Sequence, residues 1–329
     1  MMRELLVAIL MVVGVLSGCA ASVPESQTTS TYESKPWGEL GLAWLKNAPF
    51  PDDSRTTGYF SKNGSFPYLG HYDDSTVAMG IPRGYRKGAT VDLVLYFHGW
   101  SNEAAIAIER YKLGEQLEAS GKNAIVMVPQ GPKNAQDSSI GKIAKQGGFG
   151  RMMDEAVKVL IRDGKLDVGT TLGKVIVSGH SGGYLPVAKC LSVGGINEHI
   201  PEVWLWDAAY GEWSDYASFF IPPGKRRFRS FFTDHLEDSN VRIISLLNLA
   251  GVRTCLVDED DLTSHGSSAD GFNAKFHVAG AKPGVEEFEL VLKGEPIFFM
   301  HTHLSHNDVP VGRRYFERLV RESPFLEKR

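Results

Sequence analysis

Apolar runs alternating with amphipathic stretches constrain this chain most. Residues 75–81, 91–97, 124–128, 174–178, 203–206, 228–233 and 296–300 read as strands, and several are apolar at nearly every position. A strand buried on both faces has that pattern, because helices cover each side of a parallel sheet. Between these runs Met153, Val157 and Leu160 recur at helical spacing, as do Ile106, Leu113 and Leu117 on an earlier segment. A last helix is expected from Pro310, capped by Asn307 or Asp308, with Tyr315, Phe316, Leu319 and Val320 as its stripe. The expected fold class is α/β, a doubly wound, mostly parallel sheet in a single domain over residues 37–329. Ligands of such sheets bind beyond the carboxyl ends of the strands, so chemistry is to be sought there.

Composition excludes other classes. The 329 residues carry 35 Lys and Arg against 39 Asp and Glu, a net charge of -4, so there is no broad basic face for nucleic acid. Lys225, Arg226, Arg227 and Arg229 form a short basic run that reads as a solvated turn. Three cysteines provide no zinc framework; Cys190 and Cys255 read as two separately buried thiols, although an oxidising compartment would permit a bridge.

The N-terminus differs from the rest. Residues 5–16 run without a charge behind Arg3, too short to span a bilayer comfortably, and end in Leu16-Ser17-Gly18-Cys19. This resembles the bacterial lipoprotein processing box, which implies a signal peptide over residues 1–18 and an acylated Cys19. Residues 19–36 would then be the anchor and a flexible tether, rich in Ser, Thr and Glu. The expected location is the bacterial envelope, on a membrane through the lipid, and Ala20 after the cysteine favours the outer membrane.

The chemistry centres on Gly179-His180-Ser181-Gly182-Gly183, which follows a strand-like run and precedes a helical pattern of Tyr184, Ala188 and Leu191. That is the G-x-S-x-G nucleophile elbow, in which a sharp strand-to-helix turn projects a serine hydroxyl over the sheet. Pro186 departs from it: the proline either removes one helical hydrogen bond or the helix begins late. The run 91–97 ends in His98-Gly99-Trp100, where a second oxyanion donor is expected; the backbone amides of Trp100 and Gly182 are the candidates. His98 itself reads as a structural residue holding that loop.

With a late histidine, these motifs resemble the α/β-hydrolase superfamily across residues 75–320, and the sequence is similar to secreted bacterial members of esterase or lipase type. The resemblance implies hydrolysis of an ester, thioester or amide through an acyl-enzyme, with a small-molecule ester as substrate and no cofactor. Serine needs a base, and His306, directly ahead of the last helix, is best placed, with His303 and then His301 behind it. The spacing of His301, His303 and His306 also suits metal ligation, although no HExxH helix accompanies it, and no metal is expected. For the acid, Asp207 ends an apolar strand where an ionised carboxylate requires a partner. Asp234, one strand later, is the alternative acid. The acidic run Asp258, Glu259, Asp260 and Asp261 stands behind both and reads as a solvated loop. An amidase or peptidase with the same triad, and a non-catalytic envelope-binding lipoprotein, are the competing functions. Trp213, Tyr216, Phe219 and Phe220 suit either a lid or an ordinary packed helix. The stretch 256–290 reads as an insertion controlling access.

Overall fold

The structure is a computed structural model and describes residues 29–221, 226–260 and 285–329. Ten strands form one sheet: β1 (Ser30–Lys35), β2 (Gly38–Trp44), β5 (Thr76–Pro82), β6 (Thr90–Phe97), β7 (Ile125–Pro129), β8 (Thr171–His180), β9 (Glu202–Trp206), β10 (Arg227–Phe232), β11 (Cys255–Asp258) and β12 (Ile297–His301). A hairpin of β3 (Tyr59–Ser61) and β4 (Gly64–Phe66) stands apart. The helices are α1 (Ala104–Arg110), α2 (Leu113–Ser120), α3 (Gly148–Arg162), α4 (Tyr184–Val193), α5 (Trp213–Phe220), α6 (Glu237–Leu249), α7 (Val285–Gly294) and α8 (Tyr315–Glu322). None of the described helices is long and apolar enough to cross a membrane.

Strand order is β1-β2-β5-β7-β6-β8-β9-β10-β12-β11. From β7 to β11 every neighbouring pair is parallel, whereas β1, β2 and β5 pair antiparallel with one another and β5 runs antiparallel to β7. The mostly parallel sheet thus has an antiparallel flank that its continuous apolar runs do not distinguish. Alternation within the strands explains the two layers. Leu93, Leu95, Val175, Val177, Val203 and Leu205 face one core, while Val94, Tyr96, Ile176, Trp204 and Trp206 face the other. Helices α3 to α6 pack on the first face; α1, α2, α7 and α8 cover the second. Trp204 and Trp206 both lie edge-on or tilted to Phe316 of α8, with ring centroids 5.8 and 6.1 Å away. The stripe Tyr315, Phe316, Leu319 and Val320 is buried as its spacing requires.

Several expectations need correction. Residues 30–35 are not tether but strand β1, paired with β2 from Ser30↔Ala43 to Lys35↔Gly38. Their alternation of polar residues gives no apolar signal because this is the sheet's edge. The last helix starts at Tyr315 rather than Pro310, after a short 3-10 turn at Gly312–Arg314. Ile106 is exposed, because α1 and α2 are separate helices and Ala104, Ala107 and Ile108 form the buried side of α1. Helix α5 packs against the core through Tyr216, Phe219 and Phe220, as an ordinary helix and not a lid. Cys190 and Cys255 are both buried and unbridged. Residues 255–258 are strand β11 rather than insertion; residues 261–284 and Cys19 lie outside the described residues.

The basic run is also not a solvated turn throughout. Arg229 is 1% exposed, lies 3.7 Å from Glu202, and donates to the carbonyls of Phe228, Pro296 and Leu292 at 2.8–3.0 Å. Glu202 is as deeply buried and accepts from the Ser323 hydroxyl at 2.8 Å. This group ties β9, β10, the entry to β12 and α7 together at the amino ends of the strands. Removing one partner would leave a buried charge unpaired, so Arg229→Met is expected to lower unfolding free energy by about 3–5 kcal/mol. Adding Glu202→Gln should recover part of that loss in urea denaturation; a double variant as unstable as the sum of the singles would contradict the pairing.

Candidate active site

The carboxyl ends of β6, β8, β9, β10 and β12 carry the polar residues. At the end of β8, Ser181 has φ 54°, in the left-handed region, and opens a 3-10 turn that runs into α4. A non-glycine residue holds this conformation only where the surroundings impose it, and such positions concentrate at functional sites. The surroundings are tight. A side chain at Gly183 would collide with the Phe97 carbonyl, and a Cβ on Gly99 would lie 2.7 Å from Ser181 Cβ. The loop after β6 and the elbow after β8 therefore meet at the serine. Pro186 falls in the first turn of α4, where its missing N–H leaves no helical bond unmade.

Asp207 follows β9 with φ 48° and is fully buried. Its carboxylate is surrounded by donors: His306 Nδ1–H at 2.5 Å, the Thr233 amide at 2.9 Å and the Thr233 hydroxyl at 3.0 Å. His235 Nε2 is 3.6 Å away. Burial works to raise this carboxyl, but the hydrogen bonds from His306 and Thr233, with the adjacent imidazoles, outweigh it and hold the group below the ordinary carboxylate range. An ionised Asp207 thus faces Nδ1 of His306.

The hydrogen-bond network extends to one side. Tyr210 O–H donates to His235 Nε2 at 2.8 Å, and His235 Nδ1–H donates to the Thr233 hydroxyl at 2.7 Å, which in turn serves Asp207. Tyr210 also faces Ser181, and its hydroxyl is pushed up to about 12 by burial and by the charge of Asp207. On the other side His180 donates from Nε2 to the His306 carbonyl at 2.9 Å, with its ring 4.7 Å from that of His306. His180 precedes Ser181 in the chain and bonds to His306, so nucleophile and base are linked through that residue. Among the described residues no hydrogen bond joins them directly; such bonds are often long before a substrate tightens them.

Other expected residues fall elsewhere. Asp234 does not approach His306; it is exposed and pairs with His301 at 2.6 Å, so the alternative acid is displaced from the cluster. His301 and His303 likewise separate from His306, so the three histidines do not form one ligand set. Glu259 is buried and accepts from Thr302 and Tyr315, and it is no part of a solvated loop. His98 holds the β6 loop, donating to the Gly99 carbonyl at 2.8 Å and accepting from the Gly131 amide at 3.0 Å. The Trp100 indole lies against Gly182 and donates to Ser138 at 2.8 Å. Tyr210, Thr233, His235 and His180 were not singled out from sequence. Their one signal is that each lies at, or within four residues of, the carboxyl end of a strand, and within three residues of a candidate.

Two spaces adjoin the elbow. One, lined by Phe97, Gly99, Gly182 and Pro186, has about 20 Å³, room for one water at most. The other is an open cleft of about 470 Å³ lined by Tyr59, Trp100, Ser138, Tyr184 and Leu185 among others. Only the second is large enough for a small organic ligand.

No protein-family model and no curated protein matches the sequence. Similar solved structures include a variant of the feruloyl esterase module from Clostridium thermocellum complexed with sinapinate, at 10% identity and TM-score 0.46, covering 92% of this chain and 90% of that one. An S-formylglutathione hydrolase from Agrobacterium tumefaciens is 12% identical with TM-score 0.39, over 89% and 95% of the two chains. A fluorophosphonate-binding serine hydrolase of Staphylococcus aureus is 11% identical with TM-score 0.36, over 69% and 87%. Likenesses this distant transfer no residue roles. Strand order, the serine on a strained turn after β8, and the aspartate–histidine pair supplied by the ends of later strands are features of this chain itself: a strand-to-helix elbow and its polar partners at the carboxyl edge of a mostly parallel α/β sheet.

Proposed function

We propose that the chain is a serine hydrolase that cleaves a carboxylic ester through an acyl-enzyme. Ser181 is the nucleophile, His306 the base that accepts its proton, and Asp207 the buried acid that fixes the imidazole tautomer and stabilises the imidazolium. The observation that carries this reading is the 2.5 Å contact between Asp207 and His306 beside a serine in a strained turn. The amides of Trp100 and Gly182 receive the developing oxyanion, each worth ~3 kcal/mol of transition-state stabilisation. Collapse of the oxyanion intermediate breaks the ester C–O bond and expels the alcohol, whose oxygen takes the proton from His306; water then attacks the acyl-enzyme with His306 as base again, and the acid product leaves as the proton returns to the Ser181 oxygen. The substrate occupies the cleft beside Trp100 and Tyr184, since the space behind Gly182 admits no acyl chain. The chain's own residues carry every step of this scheme. A fluorophosphonate probe is expected to label the parent protein and not Ser181→Ala; labelling of both, or of neither, would remove the nucleophile. Asparagine tolerates the left-handed backbone at position 207, so Asp207→Asn isolates the charge and should lower kcat by ~10³–10⁴-fold on an ester such as p-nitrophenyl acetate.

His180 belongs to the proposal as an uncharged neighbour. Burial, and next the adjacent His306, push its imidazole down to about 3, so it supports the His306 carbonyl without repelling the imidazolium that forms during turnover. Because the folded value lies below the ordinary 6.5, the unfolded chain binds the proton first as pH falls. The associated stability is complete above pH ~6.5 and declines below it, by up to ~1.4 kcal/mol per pH unit. Urea unfolding between pH 6.5 and 5 should therefore show a smaller slope in His180→Gln than in the parent, and identical slopes would refute the assignment.

The same reading tethers the enzyme to a bacterial membrane through an acylated Cys19, on the strength of residues 1–19 alone. Cells fed a clickable palmitate analogue should incorporate it into the parent chain and not into Cys19→Ala.

A further inference from the structure

A second polar cluster occupies the carboxyl ends of β10, β11 and β12, beyond the Asp207–His306 pair. In the sheet Asp258 pairs in register with His301, and Phe232, two residues before Asp234, pairs with His301 from the other side. His301 lies between two carboxylates: Nδ1 is 2.7 Å from Asp258 Oδ2 and Nε2 is 2.6 Å from Asp234 Oδ1. The His303 ring centroid is 5.0 Å from that of His301, and its Nε2 is 3.2 Å from Asp260 and 3.5 Å from Asp258. One ligand atom from each of Asp234, His301 and His303 falls within a 4.8 Å span, as does one from each of Asp258, Asp260 and His303.

We infer that this cluster is a binding site for a divalent transition-metal ion of the zinc type, with His301 Nε2, His303 and Asp234 as ligands and Asp258 as the carboxylate that orients His301. Ligands ~2.0–2.2 Å from a tetrahedral ion are about 3.3–3.5 Å from one another; the three ligand atoms already lie within 4.8 Å, and the side chains of Asp234 and His303 that must adjust are exposed and half-exposed. A histidine that ligates through one nitrogen almost always donates the other N–H to a carboxylate, and Asp258 already stands in that place. Two imidazoles with one carboxylate select zinc-like ions over calcium or magnesium, which prefer all-oxygen sites.

The supporting frame is rigid. Buried Glu259 accepts from the Thr302 hydroxyl at 2.7 Å, the His303 amide at 3.0 Å and the Tyr315 hydroxyl at 2.6 Å, so the backbone that carries His303 is fixed without the ion. An isolated ion pair would not explain the arrangement: Asp234 is 89% exposed, and such a pair contributes only ~0–1 kcal/mol. Bound metal would join the ends of three strands to the segment that leads to His306. The site uses neither Ser181 nor Asp207 and stands whether or not the hydrolase reading does.

Isothermal titration of the purified full-length chain with zinc chloride tests it, followed by calcium and magnesium chloride and by the visible absorption of cobalt(II). One zinc ion per chain is expected. His303→Ala and Asp234→Asn, both changes at partly or fully exposed side chains, should each weaken binding at least tenfold, and Asp258→Asn by ~10–100-fold. Ser181→Ala and His306→Ala should bind as the parent does. Absence of zinc binding, affinity unchanged in both His303→Ala and Asp234→Asn, tighter binding of calcium than of zinc, or loss of the ion on His306→Ala with retention on His303→Ala would overturn the inference. Thermal melts by circular dichroism establish that each variant is folded before titration.

Discussion

A carboxylate with no access to water organises this molecule. Asp207 emerges from a strand of Val, Trp and Leu, where an unpaired charge would be worth several kcal/mol against folding. It is tolerated because β10 delivers an amide and a hydroxyl from Thr233, and the segment after β12 delivers an imidazole. The requirement is mutual: Thr233 and His306 have fixed positions because the charge between them must be satisfied. Three strand ends separated widely in sequence are thus brought together at one atom pair, and everything proposed about reactivity depends on that convergence.

The sheet separates stability from chemistry along its strands. At the amino ends, Arg229 and Glu202 form a buried, hydrogen-bonded group that lines neither of the two spaces beside the elbow. At the carboxyl ends, buried Asp207 and Thr233 hold the partly exposed His306, and His301 and His303 form the second cluster, where the architecture of parallel sheets places its chemistry. The antiparallel flank formed by β1, β2 and β5 extends the sheet without adding residues to the site.

Legibility from sequence followed the same division. The elbow could be read because a serine between glycines at a strand-to-helix boundary allows few conformations, and Asp207 because a charge ending an apolar strand demands a partner. His306 was readable from its place after the final strand. The edge strand β1 was not, since half of its residues face water and its sequence resembles a polar linker. Arg229 misled in the opposite way: arginine is normally exposed, and nothing local reveals that Glu202 lies opposite. Sequence favoured Asp207 over Asp234 but left both open, because neighbouring strands bring both within reach of a histidine; the pairing of Asp234 with His301 is a tertiary fact. Glu259 sits between two outward carboxylates and points inward, an alternation that only strand geometry reveals.

The left-handed backbone at Ser181 limits what this chain can become. Branching at Cβ is severely strained in that region of conformational space, so threonine would keep a hydroxyl yet lose the turn that presents it. Cysteine carries no such branch. Descendants of this sequence that exchange the nucleophile are therefore steered toward sulfur chemistry, and the path to a threonine-dependent relative is closed by a single torsion angle.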